Sequence, residues 1–287
     1  MGRGAHLGLE IESVRDPKLL SNGGGGEVRD VERLRYSLIS VEEWIEDHLT
    51  NEITHPYKNC EHIGKLLWGL NGFFRTRAIL KYLLDADTDA FFADLTREAL
   101  TYVTLLRAYR EKLDVPASRV KGSTASPVSC ALATANFELA VEIDELMPQQ
   151  MGKYDDKELF AITSMVRRLV VGNKAEIALA LKEVADACPG AERCDAIIEM
   201  VQGLGERSEK RFNSGLAGYL ESLEHLSPDE VEELRPGEEF VSVEALAFIQ
   251  LAKKVNIPNR VQHRMIPPEL QNARPVVLSD GYPSWPG

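Results

Sequence analysis

Residues 128–187 constrain the fold of this chain more than any other stretch, because their apolar residues recur at a spacing of three and four. That spacing places the apolar side chains on one face of a helix and the polar side chains on the other. Three such helices, joined by short polar turns, form a core that needs further helices on both sides. The pattern predicts amphipathic helices at 128–146, 155–171 and 175–187.

The same periodicity continues on both sides of this centre, and Ser227-Pro-Asp-Glu230 is typical of a further helix start. Helix pairs of about thirty-five residues bury a continuous core when they stack side by side. We therefore predict an all-α protein, in which antiparallel helix pairs stack into a helical-repeat-like array or bundle. The further helices are predicted at 30–49, 59–84, 89–113, 197–204, 208–223 and 243–255.

The helix predicted at 59–84 is the most basic in the chain. Its apolar stripe includes Leu66, Leu70 and Phe74, and the opposite face is predicted to expose its cations. These cations are Lys65, Arg75, Arg77 and Lys81.

Composition divides the chain into three parts. Residues 1–29 include the run Gly23–Gly26 and are predicted to form a flexible N-terminal arm, because glycine loses much backbone entropy when it is ordered. Residues 30–270 are predicted to form one all-helical domain, with a joint at the polar segment 114–127. Within this domain, Ile266-Pro-Pro-Glu-Leu270 is predicted to be extended, and residues 271–287 form an irregular C-terminal tail.

The charge of the chain limits its partners. The 287 residues hold 33 lysines and arginines against 45 acidic residues, so the net charge is −12 and the pI is near 5.1. Nucleic acids and anionic membranes attract basic faces, so we expect neither as a partner. No apolar run could span a bilayer and no signal peptide is evident, so we expect a cytoplasmic protein. The four cysteines, Cys60, Cys130, Cys188 and Cys194, are too sparse for a disulfide scaffold and are predicted to be reduced.

Several fragments resemble metal or catalytic motifs without their full pattern. Asp85, Asp87 and Asp89 match the opening of a calcium loop, but Ala90 and Thr96 replace its glycine and its bidentate glutamate, so helix capping is predicted. No zinc-pair spacing occurs among His48, His55, Cys60 and His62.

Two further fragments are predicted to carry no chemistry. Ser118 and Lys121 fit the Ser-x-x-Lys pattern of serine acyl-enzymes, but they lie in a polar loop rather than at a helix start. Five residues separate Cys188 from Cys194, which suits neither a redox pair nor a zinc knuckle, so the pair is predicted to be incidental. We predict no catalytic residue, no cofactor and no metal ligand.

The densest acidic stretch spans residues 221–239 and holds Arg235 as its only fixed cation. A solvated surface explains such a run, and so does a face that docks a basic partner by charge complementarity. The hypothesis of a docking face rests on eight residues: Glu221, Glu224, Asp229, Glu230, Glu232, Glu233, Glu238 and Glu239.

Three groups of residues carry a resemblance to a known family. They are Ala135-Asn-Phe-Glu138 with Gly172-Asn-Lys-Ala-Glu176, the segment Val243–Ala252 (Val-Glu-Ala-Leu-Ala-Phe-Ile-Gln-Leu-Ala), and Ile266–Leu270. Over residues 60–270 the chain resembles the immunity protein 49 family of bacterial toxin–immunity systems. It departs from that family at Asn256, where a glycine is expected. The resemblance implies an antitoxin-like protein that binds and neutralises a cognate toxin, and it implies no catalytic residues.

The sequence therefore predicts an immunity protein that neutralises a cognate, basic toxin through an acidic helical surface. One alternative is a helical-repeat scaffold or regulator that binds another protein, and a second is an enzyme on a helical scaffold with a metal site. The aromatic pairs Phe73-Phe74 and Phe91-Phe92 could pack within the same chain or against a second copy of it. The sequence therefore leaves a homo-oligomer as an open alternative.

Overall fold

The computed structural model describes residues 27–51, 63–171 and 174–278. Over these ranges the chain contains no strand, which confirms the all-α prediction. None of the helices in these ranges is long and apolar enough to cross a membrane. The helices are α1 Glu27–Asn51, α2 Ile63–Asp85, α3 Thr88–Arg110, α4 Ser126–Ala133, α5 Phe137–Leu146, α6 Lys157–Val171, α7 Lys174–Ala187, α8 Glu192–Glu206, α9 Glu209–Glu224, α10 Pro228–Glu233 and α11 Val243–Lys254, with 3₁₀ helices at Ala117–Arg119 and Pro268–Gln271.

Some sequence predictions lie outside the described residues. They concern the N-terminal arm up to residue 26, the helix end at Gly172-Asn173 and the tail from residue 279. His55, Cys60 and His62 also lie outside these ranges. The arm, the tail and the joint at 114–127 stay predictions.

Neighbouring helices pack as pairs. Two-residue connections join α2 to α3 and α8 to α9, so the second helix of each pair runs back along the first. α1 packs on α2, and α6 packs on α7. Asp87 starts α3 as its capping residue, as predicted, because its Oδ1 accepts a hydrogen bond from the backbone N–H of Ala90 at 2.8 Å.

The core is centred on α4 and α11. α11 lies far along the chain but packs against α4 and also contacts α8 and α9. Pro127–Ala133 of α4 is buried throughout, as is most of α11. A helix that is apolar on all sides is stable only when other helices cover it. The helices from α1 to α9 therefore stack in chain order, and α11 returns to pack against α4.

The single helix predicted at 128–146 is wrong, because the structure divides it into α4 and α5. Ala135 has a φ of +55°, which ends α4, and the Asn136 side chain accepts a hydrogen bond from Leu139 N at 3.1 Å, which starts α5. Both Leu132 and Leu139 are buried, so the apolar spacing continues across the break and conceals it in the sequence.

Asn256 occupies the position at which the resemblance led us to expect a glycine. Its φ is +62°, in the left-handed region that glycine usually occupies after a helix, and asparagine enters this region more readily than most residues. The N–H of Ile257 then donates to the Ala252 carbonyl at 2.8 Å, which satisfies a carbonyl at the end of α11. Asparagine therefore takes the place of the expected glycine without losing the helix end.

The segment Ile266–Leu270 is not wholly extended, because a 3₁₀ helix begins at Pro268. Leu270 is fully buried, and the Tyr82 hydroxyl donates to Glu269 Oε1 at 2.6 Å. The hydrogen bond ties the segment to α2, and its 3₁₀ helix packs on α11. The two consecutive prolines favour the tight turn. Ile-Pro-Pro-Glu-Leu is therefore a docking segment of the core.

The segment 114–127 is anchored to the core at some positions and exposed at others. It contains the 3₁₀ helix Ala117–Arg119, and both Val115 and Val120 are buried. The backbone N–H of Ser123 donates to Asp155 Oδ1 at 2.7 Å, which ties the segment to the turn before α6.

Candidate functional site

The eight acidic residues of the predicted docking face lie at the end of α9, on α10 and on the loop that leads to α11. The helix start predicted at Ser227 is confirmed by a reciprocal capping box. Ser227 Oγ accepts from Glu230 N at 3.3 Å, and Glu230 Oε2 accepts from Ser227 N at 2.8 Å. The hydrogen bonds from Ser227 hold the pKa of Glu230 below its usual value.

Three of the eight carboxylates, those of Glu224, Glu238 and Glu239, form ion pairs within the chain. Glu224 Oε1 lies 2.9 Å from Arg264 Nε and 3.2 Å from His263 Nε2. The hydrogen bond from Arg264 lowers the pKa of Glu224. Glu239 Oε1 lies 2.5 Å from Arg33 Nη2, which connects the loop before α11 to α1.

The remaining exposed carboxylates form the surface on which a partner can act. Glu221, Asp229, Glu232 and Glu233 are exposed, and they form no ion pair with any residue in the described ranges. Val231, which is 43% exposed, stands among them on α10. We call the four carboxylates the acidic surface.

A second group of polar and charged residues, centred on the buried Arg75 and Glu98, lies where α2, α3, α4 and α11 meet. Arg75 donates to both oxygens of Glu244, at 2.7 and 3.0 Å, and to Ser126 Oγ at 3.0 Å. Arg75 Nε lies 2.7 Å from Oε1 of Glu238, which is also one of the eight predicted carboxylates. Ser126 donates in turn to Glu98 Oε1 at 2.5 Å. We call these five residues the Arg75 cluster.

The exposed basic face predicted for α2 is therefore wrong at its centre. The Arg75 side chain is only 6% exposed, and Arg77 is bonded to both oxygens of the buried Asp94 at 2.6 Å. Lys81 pairs with an acid of α1 at 3.0 Å, whereas Lys65 is exposed as predicted. These cations pair with acidic residues that lie outside α2. The sequence of α2 alone therefore does not show that they are paired.

Burial dominates the electrostatics of the Arg75 cluster. Glu98 is fully buried, and its Oε2 has no hydrogen-bond partner among the described residues. Burial raises the pKa of Glu98, although the nearby Arg235 and Arg75 oppose the rise. Burial and the neighbouring Glu98 also raise the pKa of the Cys130 thiol, so it is protonated and a poor nucleophile. For Glu244, burial alone would raise the pKa, but Arg75 lowers it overall.

The raised pKa of Glu98 predicts a specific pH dependence. The pKa of Glu98 is higher in the folded chain than the ordinary value of 4.5 that applies in the unfolded chain. The free energy of unfolding therefore falls as pH rises from about 4.5 through the folded pKa. We therefore expect Glu98→Gln to become more stable relative to the wild type as pH rises above about 4.5. Urea denaturation at a series of pH values measures this difference. Glu138→Gln, the same change at an exposed position, is the control, and equal pH profiles for both variants would contradict the prediction.

An apolar pocket lies beside the Arg75 cluster, between α4, α6, α8, α9 and α11. It encloses about 390 Å³ of space not filled by atoms, part of it open to solvent. The carboxylate in its lining belongs to Glu244, which is already bonded to Arg75. The pocket therefore offers mainly apolar contact. Its lining consists of Ala125, Ser129, Leu132, Ile162, Val166, Ile197, Tyr219, Glu244, Ala247, Phe248 and Leu251.

The cysteines predicted to be incidental lie side by side. Cys188 follows α7, Cys194 lies in the first turn of α8, and both are buried. The two cysteine sulfur atoms and a carboxylate oxygen of Glu158, on α6, lie within 4.8 Å of one another. The chain reverses between the cysteines at Gly190, which has a φ of +75° and so suits a residue without a side chain.

Sequence reasoning missed the Arg75 cluster because its members are far apart along the chain. One signal was present: Asn71, Arg75, Ala78 and Tyr82 follow the helical spacing of a buried stripe. A charged residue at a stripe position is buried only with a partner, so Arg75 itself implied an acid from another helix. The sequence does not say which acid.

No protein-family model, curated protein or solved structure matches the chain. Two of the three groups of residues that carry the resemblance lie on elements that build the core. Val243–Ala252 is most of α11, and Ile266–Leu270 docks against α2. The function must therefore be argued from the surface of this chain.

Proposed function

We propose that this protein is an immunity protein that binds and neutralises a cognate, basic toxin through the acidic surface. The observation that carries the proposal is the exposure of Glu221, Asp229, Glu232 and Glu233 without an ion pair among the described residues. The net charge of −12 acts in the same direction, because it attracts a basic protein over a distance.

The ion pairs within the chain indicate which carboxylates are available to bind a cation of a partner. A partner cation that approached Glu238 or Glu239 would compete with Arg75 or Arg33. A cation that approaches Glu232 or Glu233 meets no such competitor, and Val231 adds an exposed apolar contact between the charges. A toxin that itself holds phosphates, such as a nuclease, has the basic surface that this arrangement requires.

Charge-driven association makes the binding depend on salt. Complementary charges speed the encounter of two proteins, and salt screens this effect over about 8 Å at 0.15 M. In a pull-down from a lysate of its native cells at low salt, a tagged copy of this protein is expected to retain one basic protein. Higher salt should release that protein. Co-expression should then protect cells from that protein. Retention without protection would favour the helical-repeat scaffold or regulator instead.

Charge reversal on α10 tests the acidic surface directly. We expect Glu232→Lys with Glu233→Lys to slow association with the captured partner about tenfold at low salt, and much less at high salt. The measurement is the association rate by surface plasmon resonance at several salt concentrations.

The matched control is Glu43→Lys with Glu46→Lys on α1, because both residues are exposed and the pair changes the net charge by the same amount. If both double variants slowed association equally, only net charge would matter and α10 would not be the docking site. If neither variant did so, the charge-driven proposal would be wrong.

A further inference from the structure

We propose that Glu158, Cys188 and Cys194 bind a zinc-like divalent metal ion with two thiolates and one carboxylate. This inference does not rest on the proposed function. The three residues come from α6, the α7–α8 turn and α8, so the ion would join three consecutive helices. We call them the Cys–Glu site.

The distances fit the coordination shell of zinc. Zinc lies about 2.3 Å from a thiolate sulfur and about 2.0 Å from a carboxylate oxygen, usually in a tetrahedron. Those lengths separate a sulfur and an oxygen ligand by about 3.5 Å and two sulfurs by about 3.8 Å. Cys194 Sγ lies 3.6 Å from Glu158 Oε1, and the three donor atoms lie within 4.8 Å of one another. A metal ion would require only small side-chain movements.

The donor set selects the class of metal. Two sulfur ligands favour zinc and other thiophilic ions over magnesium or calcium, which prefer oxygen ligands. Three protein ligands leave a fourth tetrahedral position for water or another group. Arg193 lies 3.8 Å from Glu158, where its positive charge would offset the excess negative charge of two thiolates, one carboxylate and a divalent ion.

Hydrogen bonds occupy the thiols when no metal is present. Cys188 donates to the Val184 carbonyl at 3.2 Å, and Cys194 donates to Glu158. Burial, together with the neighbouring Cys188 and Glu158, raises the pKa of the Cys194 thiol, so metal binding must displace its proton. Binding is therefore expected to weaken as pH falls.

The experiment uses the reduced full-length protein and cobalt(II) as a spectroscopic probe for zinc. We expect a thiolate-to-cobalt absorption band in the near ultraviolet, visible bands typical of tetrahedral cobalt, and bleaching of both by one equivalent of zinc. Magnesium in excess should not bleach them. A wild-type protein that gives no thiolate-to-cobalt band would overturn the proposal without any variant.

Three variants assign the bands to the Cys–Glu site. Cys188→Ser and Cys194→Ser are expected to weaken cobalt binding at least about 100-fold, because loss of a ligand costs more than loss of an outer-shell partner. Glu158→Gln should shift the visible bands, and it is the mildest change because this side chain is 38% exposed. Far-ultraviolet circular dichroism checks that each variant is folded.

Cys130→Ser is the matched control, because Cys130 is a buried cysteine outside the Cys–Glu site. It should keep the cobalt spectrum of the wild type. The proposal fails if Cys130→Ser loses the bands, or if folded Cys188→Ser and Cys194→Ser variants keep them. It also fails if the reduced protein binds no cobalt and its oxidation joins Cys188 to Cys194 in a disulfide, which peptide mass mapping would detect.

Discussion

Replacing Arg75 by methionine is expected to lower the free energy of unfolding by about 3–5 kcal/mol. The Arg75 side chain is almost completely buried and contacts Glu244, Glu238 and Ser126. Methionine keeps much of the volume but leaves acids without their cation, and the fully buried Glu98 would lose a nearby positive charge. Glu244 retains some access to water, which favours the lower end of the range. Urea denaturation followed by circular dichroism measures the change, provided that the slope against urea stays constant.

The control for this prediction is Arg260→Met. Arg260 pairs with Glu209 at 2.9 Å, but its side chain is 69% exposed, so its loss should cost less than about 1 kcal/mol. Equal losses in the two variants would show that the Arg75 cluster does not stabilise the core. The double variant of Arg75→Met with Glu244→Gln should be more stable than the sum of the two single changes predicts, because the residues are in direct contact.

Replacing Gly215 by alanine is expected to lower the free energy of unfolding by about 1–3 kcal/mol. Gly215 faces α8, and a Cβ atom at this position would lie 2.5 Å from Met200 N and 2.7 Å from Ala196 O. Both atoms belong to the backbone of α8, so no side chain can turn aside and α9 must move away. Thermal and urea denaturation both measure the loss.

Gly205→Ala gives the opposite expectation in the same helix pair. Gly205 lies on α8, and a methyl group added there would meet no atom of the described residues within 4 Å outside its own stretch of helix. Alanine is also the better helix former by up to about 1 kcal/mol. This variant should therefore be as stable as the wild type or more stable. A Gly215→Ala variant of wild-type stability would show that α8 and α9 do not approach as closely as described. A destabilised Gly205→Ala variant would show that the space around Gly205 is not open.

Helical periodicity in the sequence was enough to predict the long helices of this fold. Each long apolar stripe became a helix, since burying one face is the main source of helix stability in a folded protein. Helix starts with a polar cap, such as Asp87 and Ser227, were predicted together with the capping residue. These signals are local, so one sequence suffices to show them.

Helix ends were less predictable, because several depend on backbone angles that the side chain does not reveal. Ala86, Lys112, Ala135 and Arg207 have positive φ at the ends of helices, although none of them is glycine or asparagine. Surrounding packing holds these residues in a conformation that costs them about 1 kcal/mol or more. Alanine at position 135 carries no local sign of a break, so α4 and α5 were predicted as one helix.

The candidate sites show the same division. The acidic surface was visible as a run of charge, but the ion pairs of Glu224, Glu238 and Glu239 required the structure. The Cys–Glu site was hidden because Glu158 lies thirty residues before Cys188, on α6, whereas Cys188 follows α7. Contacts between residues far apart in sequence depend on how the helices stack. Helical periodicity in one sequence does not predict that stacking.

The position of α11 at the centre of the core also governs the order of events during synthesis. The helices α1–α10 leave the ribosome before α11, so the surface of α4 that α11 covers stays open until residue 254 has emerged. At about 5–20 residues per second, the roughly 120 residues between α4 and the end of α11 take about 6 to 24 seconds to translate. The nascent chain must keep that apolar surface from other partners over this interval, which gives chaperones a defined period in which to bind it.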